Sequence, residues 1–452
     1  MRNYIARKIG YPTQDIVKKT NILKTLPFLK ESQYWSEEKL KVYQMTKIQK
    51  LVYYVYNNIP YYQKLFRKEG IHPNDINSIK QFKKIPVLTK EIARAENMNL
   101  IPKFSNLKNI RKTKTGGTSG PPLIIYRDAA TRSFTWSAFY RWYDWIGIDL
   151  GDRITTLWGT PTVLSMPIST KIKKRMINFL QNTSTINSFA MNQNTLPKII
   201  EEIKIKKPKL LKGYLSAILQ LAEYCSEKRI DLSIQAISST TETLLPHVRE
   251  YLENQFECKV YDQYGGGECE SIAFECKEQS GLHITNEHVY LEILNADGHD
   301  EDQNTGDIIV TDLDNYAMPL IRYEIGDNAS FASKKYSCDC GVRLPKLKSI
   351  IGRATDTIIL KNGSKVHGVF FTDILSELNL KDTGLIRRFQ VSQEKYGEIE
   401  FRIETSEDLK SSSLSLLENA LNRFFFKVEI KIFQKLEHDK SGKFRYVISK
   451  IK

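Results

Sequence analysis

Residues 235–266 read QAISSTTETLLPHVREYLENQFECKVYDQYGG. A short run that reads as a strand, AIS, comes first. A segment with apolar residues three and four apart follows it, opened by Pro246, and a second short apolar run, KVY, ends in a glycine loop. Strand, helix, strand and glycine turn in that order are the unit of a parallel sheet with helical crossovers. The same cadence precedes it. Residues 194–230, NTLPKIIEEIKIKKPKLLKGYLSAILQLAEYCSEKRI, alternate helix, strand and helix, and DRITTLWGTP at 152–161 supplies another strand and turn. Upstream, 36–57 is read as a helix with apolar positions at Leu40, Tyr43, Ile48, Leu51, Val52 and Val55, broken at Pro60. A second, aromatic-rich helix is read over 128–147, stopped by Gly147.

After residue 282 the pattern changes to short β segments with turns, HVYLEILN, GDIIVTDLD and IRYEIGDNASFA. From 350 onward the reading is a hairpin, a helix at 369–378, strands near 386–392 and 398–403, a helix near 413–426 and a strand at 428–433. The expected architecture is α/β: a large multi-sheet domain, 1–352, and a small α+β domain, 353–452. The boundary at Gly352–Arg353 rests on the change of cadence.

The chain of 452 residues is 41% hydrophobic and 26% charged, the composition of a globular protein with a large core. No apolar run is long enough to span a bilayer and the first residues lack a signal-peptide core, so a cytoplasmic location is expected. The net charge of +15 is spread along the chain, with short clusters at 169–175 and 203–212. It favours anions in general and predicts at most weak, salt-sensitive attraction to anionic membranes. No zinc-finger array, aromatic RNA-binding signature or basic zipper is present, so no nucleic-acid partner is expected. The sequence leaves the oligomeric state open.

One stretch concentrates unusual backbone freedom. TKTGGTSGPP at 113–122 places three glycines among four hydroxyl side chains. Such a loop turns backbone N–H groups toward an anion, and phosphate is the natural guest. It is not a Walker loop, because no Gly-Lys-Ser/Thr follows. Four further motifs follow in order: YGGGE (Tyr264–Glu268), RYEIGD (Arg322–Asp327), GRATD (Gly352–Asp356) and KSGKFR (Lys440–Arg445). The five together, spanning 115–445, resemble the ordered motifs of the adenylate-forming enzymes. NIPYYQKLF at 58–66, IPVLTKEI at 85–92 and LKGYLSAILQLA at 211–222 resemble the phenylacetate–CoA ligase and CapK-like branch.

That resemblance implies a reaction and assigns roles. A carboxylic acid is joined to the α-phosphate of ATP as an acyl-adenylate, pyrophosphate leaves, and the acyl group passes to a thiol, coenzyme A, or to an amine. Surface-polysaccharide synthesis is the setting implied by the CapK-like branch. Thr115, Gly116, Gly117, Thr118, Ser119 and Gly120 would hold the β- and γ-phosphates. Tyr264, with Gly265, Gly266 and Gly267, would lie against the adenylate, and Glu268 would ligate Mg²⁺. Asp327 would take both ribose hydroxyls, assisted by Arg353. Lys443, carried on a small domain that rotates about a hinge near Thr355–Asp356, would be the catalytic lysine. Ser238–Leu244 would form the adenine-side wall. Two positions depart from the pattern: Leu123 stands where a lysine often does, and Gly267 replaces a threonine. These departures keep a second reading open, a catalytically inactive binding or scaffold protein on the same fold.

Six cysteines in a chain of this size are not a disulfide framework. Cys338 and Cys340 form a Cys-x-Cys turn, and Cys276 precedes His283 by seven residues. Three thiolates and an imidazole would close a tetrahedral structural zinc site. Similar sets in the resembled branch support it, and Cys269 is a spare ligand. Ordinary reduced cysteines, or a nucleophilic cysteine paired with His283, are the alternatives. Cys225 and Cys258 are read as core residues in a helix and a strand.

Overall fold

The computed structural model describes residues 2–103, 110–114, 123–159, 168–295, 305–332, 338–353, 358–363, 365–366, 368–378, 386–405, 409, 411–436 and 444–451. The chain opens with helices, of which α1 (Ile22–Ser32), α2 (Glu37–Asn58) and α3 (Pro60–Glu69) are the longest before residue 100. Ser36 caps α2 by accepting from the Lys39 N–H, and Glu37 and Glu38 occupy its positive first turn. Pro60 ends α2 as read, and it also begins α3, where a missing N–H costs nothing.

A two-stranded ribbon, β1 (Arg111–Lys114) with β2 (Ile124–Arg127), leads into α4 (Ala129–Trp145). Asp128 caps α4, and Gly147 follows it at a φ of +75°. Then comes the wound unit: β3 (Ile154–Leu157), α5 (Ile168–Leu180), β4 (Thr183–Ile186), α6 (Leu196–Lys206), β5 (Leu210–Tyr214), α7 (Leu215–Lys228), β6 (Ala236–Thr240), α8 (Pro246–Phe256) and β7 (Lys259–Tyr261). The five strands are parallel in the order β4-β3-β5-β6-β7. The order reverses at β3, so its carboxyl edge with β5 is the switch point where α/β sheets open a crevice. On one sheet face Leu157, Leu211, Ile237 and Val260 join the core under α6–α8. On the other, Ile154, Leu210, Ala236 and Tyr261 pack against Tyr140, Trp142 and Tyr143 of α4.

A seven-stranded antiparallel sheet follows: β8 (Gln263–Tyr264), β9 (Ala273–Glu275), β10 (Leu282–Ile284), β11 (Val289–Leu294), β12 (Thr305–Asp312), β13 (Tyr323–Phe331) and β14 (Lys346–Arg353), in the order β11-β12-β13-β14-β10-β9-β8. The remaining residues build the small unit. It comprises a ribbon, β15 (Ile358–Ile359) with β16 (Lys365–Val366), then α9 (Gly368–Glu377), β17 (Ile386–Lys395), β18 (Glu398–Thr405), α10 (Ser411–Asn422), β19 (Lys427–Phe433) and β20 (Val447–Ser449). Its sheet runs β19-β18-β17-β20, and Phe371, Phe389, Phe401 and Phe425 fill its core. That core is continuous with the one under α7, and Arg388 pairs with Glu223 of α7 at 3.2 Å.

The α/β reading holds. Several elements were not read, among them α3; β4; α5, hidden in a basic run; β20, a three-residue parallel edge; and the helices before residue 33. Cys225 is buried in α7 as expected. Cys258 is not a core strand residue; it lies half-buried just before β7.

Candidate active site

The site forms where β7 hands over to β8. Between Tyr264 and β9 the chain doubles back, and the Gly266 N–H donates to the Cys269 carbonyl at 2.7 Å. A Cβ on Gly265 would stand 2.8 Å from the Ser271 nitrogen, so the turn needs glycine there. The Tyr264 hydroxyl donates to Asp327 Oδ2 at 2.9 Å. Burial, then the facing Asp327 carboxylate, pushes the Tyr264 phenol well above its usual range, so it stays a donor. Asp327 sits on β13 just after Gly326, at φ +87°, and pairs in register with Arg353 of β14. The Tyr264 ring and the Asp327 carboxylate, from two separate motifs, thus share one wall.

Glu268 is 5% exposed, which excludes a solvated loop carboxylate. Its Oε1 lies 2.9 Å from Lys90 Nζ and accepts from the Tyr323 hydroxyl at 3.3 Å. Among the described residues its Oε2 has no partner. The placement of Lys90 follows from the backbone. Leu88 exchanges hydrogen bonds with Arg322 and Glu324, laying residues 83–90 along β13. The Arg322 guanidinium locks that contact, donating to both Glu292 oxygens at 3.0 Å and to the Lys83 and Ile85 carbonyls. Arg127, 2% exposed at the end of β2, donates to the Gly267 carbonyl at 2.7 Å and to Glu270 at 2.8 Å. It ties the glycine loop to the ribbon that flanks residues 115–122. The result is a rigid carboxylate with one open oxygen beside a cation, the donor set a hard divalent ion accepts.

The segment also carries a titrating group. Burial, then the charge of Glu275, pushes the Asp262 carboxyl up to about 7. The folded state therefore keeps a proton that the unfolded chain loses near pH 4, and stability falls as pH rises from there to about 7. Asp262→Asn removes the cost of ionising the buried carboxyl. It is expected to stabilise the protein at pH 8 by on the order of 2–4 kcal/mol and to have no effect at pH 4. Thermal melts of both proteins at pH 4, 6 and 8 check this; a constant difference across the range rules out Asp262 as the source.

Of the residues expected at the site, Tyr264, Gly265, Gly266, Gly267, Glu268 and Asp327 come together, and the Arg353 backbone lies opposite Asp327. Thr115, Gly116, Gly117, Thr118, Ser119, Gly120, the hinge pair Thr355–Asp356 and Lys443 lie outside the described residues. Lys90, Arg127 and Tyr323 were not foreseen as site residues. Lys90 sat within the quoted IPVLTKEI stretch, and Tyr323 within RYEIGD.

The cysteine reading converges too. Cys276, His283, Cys338 and Cys340 place their four donor atoms within 4.8 Å of one another. Cys276 Sγ is 3.6 Å from Cys338 Sγ, and Cys340 Sγ is 3.3 Å from His283 Nε2. His283 Nδ1 meets the Leu344 carbonyl at 3.0 Å, which turns Nε2 toward the thiols. Donor type, number and spacing fit a closed tetrahedral zinc site. Cys269 is not with them; it groups with His288 and Asp312 in a separate buried cluster.

Residues 358–450 match the CapK C-terminal domain. Protein CapK of Staphylococcus aureus is 26% identical over 310 residues, 67% of this chain and 65% of CapK. The phenylacetate–coenzyme A ligase of Thermus thermophilus is 22% identical over 396 residues, 82% of each chain. The fold of 2-hydroxyisobutyryl-CoA ligase in the postadenylation state, complexed with 2-HIB-AMP, superposes with a TM-score of 0.75 at 18% identity, covering 92% of both chains. These likenesses show the fold of the adenylate-forming enzymes. The same 2-hydroxyisobutyryl-CoA ligase in its thioesterification state superposes with a TM-score of 0.62 over 93% of both chains.

The two departures from the resembled pattern have local explanations. Leu123 is 1% exposed in the core beneath the antiparallel sheet, where a lysine would bury an unpaired charge. Gly267 offers its carbonyl to Arg127, a contact indifferent to the side chain it lacks.

Proposed function

We propose that the chain activates a carboxylic acid with ATP and passes the acyl group to a thiol or an amine. The acid's carboxylate oxygen attacks the α-phosphorus, the bond to pyrophosphate breaks, and acyl-adenylate forms. The acceptor's sulfur or nitrogen then takes the acyl carbon and AMP leaves. The obstacle is repulsion between a carboxylate and a polyanion, which fixed cations and donors reduce most as charge builds in the transition state. Asp327 and Tyr264 would seat the nucleoside. Glu268, held by Lys90 and Tyr323, would bind Mg²⁺, whose charge offsets that of the phosphates. Residues 115–120 would hold the β- and γ-phosphates, and Lys443 would meet the acid. Coenzyme A is the acceptor favoured by the phenylacetate-ligase likeness. An amine in surface-polysaccharide synthesis is the one favoured by the CapK likeness. The reading includes a cytoplasmic location and weak attraction to anionic membranes, both from composition.

The observation that carries this reading is the buried Glu268, its open oxygen placed by the same β13 strand that brings Asp327 to Tyr264. ATP–pyrophosphate exchange tests it, using pools of aryl acids, short aliphatic acids, amino acids and uronic acids. Exchange dependent on one pool is expected. No exchange with any pool favours the inactive binding-protein reading, which Gly267 and Leu123 support.

A further inference from the structure

The sheet face under α4, beside the switch point, carries a cation that the nucleotide chemistry does not use. Lys212 lies on β5, in register with Thr156 of β3 and Ser238 of β6, and Ser238 is in register with Tyr261 of β7. Paired residues of parallel strands share a face, so Thr156, Lys212, Ser238 and Tyr261 form one row beneath α4. Lys212 Nζ donates to the Tyr143 hydroxyl at 3.0 Å and lies 4.9 Å over the Phe139 ring. Two residues further along both strands, on the same face, Trp158 and Tyr214 pack ring to ring at 4.4 Å. An ammonium therefore stands among aromatic rings on this face of the sheet.

Among the described residues it stands without an anion. Arg127, Arg141, Arg322 and Lys47, also set among buried groups, each meet a carboxylate. Among the described residues Lys212 meets none, and residues 115–122 and 160–167 contain no Asp or Glu. Only one of its three N–H donors is used. Beside it, the Ser238 hydroxyl is 0% exposed and has no hydrogen-bond partner. A buried polar atom left open beside an unpaired cation needs a further group to satisfy both. The row ends at Tyr261 of β7, two strand spacings or about 10 Å from Lys212, and β7 leads by sequence into the Tyr264 motif.

We propose that the acid substrate is a dicarboxylic acid whose second carboxylate is held by Lys212 and Ser238 while the first is activated beside the nucleotide. The inference rests on the adenylation reading for its chemistry and on the sheet face beside the switch point for its geometry. Lys212 is a specificity residue here and takes no part in the bond changes. A site built to pair a charged group rejects the analogue that lacks it, because its own polar atoms are then left open.

The test pairs acids of equal length: succinate against butyrate, glutarate against valerate, and adipate against hexanoate, in pyrophosphate exchange. Wild type is expected to prefer a diacid. Lys212→Met is expected to lower kcat/KM for that diacid about 100-fold and to raise it for the matching monoacid, which no longer leaves a charge unpaired. Ser238→Ala, which keeps the lysine, is expected to give a smaller loss in the same direction. Equal kcat/KM for the diacid in wild type and Lys212→Met overturns the inference while leaving adenylation standing, as does preference for the monoacids. If no acid supports exchange, adenylation fails and binding decides. Thermal stabilisation by a diacid in wild type but not in Lys212→Met upholds the site, and no stabilisation by any diacid overturns it.

Discussion

Lys443→Ala is expected to lower ATP–pyrophosphate exchange by about 10²–10³-fold, with an unchanged thermal melt and unchanged metal content. The argument begins with charge. As the carboxylate meets the α-phosphate, negative charge gathers on oxygens that fixed backbone donors cannot all reach. A lysine brought in at that moment is worth the most where water is excluded. Lys443 stands in KSGKFR, the last of five motifs in family order, immediately before Phe444. Phe444 is 6% exposed, and the Arg388 guanidinium lies 5.6 Å from its ring centroid. The same Arg388 pairs with Glu223 of the large domain. The small unit thus contacts α7 through Arg388, which also lies against the ring that follows Lys443 in sequence. If the lysine serves adenylation alone, a supplied acyl-adenylate should be consumed by the acceptor at comparable rates in mutant and wild type. Equal exchange in the two proteins would sink the role assigned to Lys443.

The sequence carried the parallel unit well because its signals are local. Each of β5, β6 and β7 is a short apolar run, and Pro246 and Gly265 punctuate the chain around them. What it hid has physical causes. Helix α5 reads as a basic cluster because Lys171, Lys173, Lys174 and Arg175 crowd its first half and interrupt its apolar residues. Strand β20 is three residues long and finds its place only through parallel pairing with β17, a contact of high sequence separation. The motif residues Tyr264, Glu268 and Asp327 were legible as chemistry, but their partners were not. Lys90 reaches Glu268 only because Leu88 bridges to Tyr323, and Lys212 gains meaning only once Ser238 is seen beside it. Register and burial decide both, and neither is written in residue spacing.

Removing the metal expected at the Cys276–His283–Cys338–Cys340 cluster should cost the large domain about 3–5 kcal/mol, a drop in Tm of roughly 10 °C. The four ligands come from three places. Cys276 follows β9, His283 lies in the middle of β10, and Cys338 and Cys340 precede β14. These strands are neighbours in the order β14-β10-β9, so one ion would cross-link them. Cys276 is 0% and His283 1% exposed, and without a metal their donors face one another rather than water. All four positions are protein ligands, which leaves none for substrate and makes the role structural. Protein purified without added metal should carry about one zinc per chain. Cobalt substitution should give the intense near-ultraviolet bands of thiolate coordination, lost in Cys340→Ser. Trp145, whose ring meets His283 edge-on at 5.5 Å, provides a fluorescence signal for local loosening on chelation. Below the lowered Tm, chelated protein should retain pyrophosphate exchange, because the cluster contacts none of Tyr264, Glu268 or Asp327. Fully folded protein with no bound metal and an unchanged melt on chelation would show four reduced residues and no zinc site.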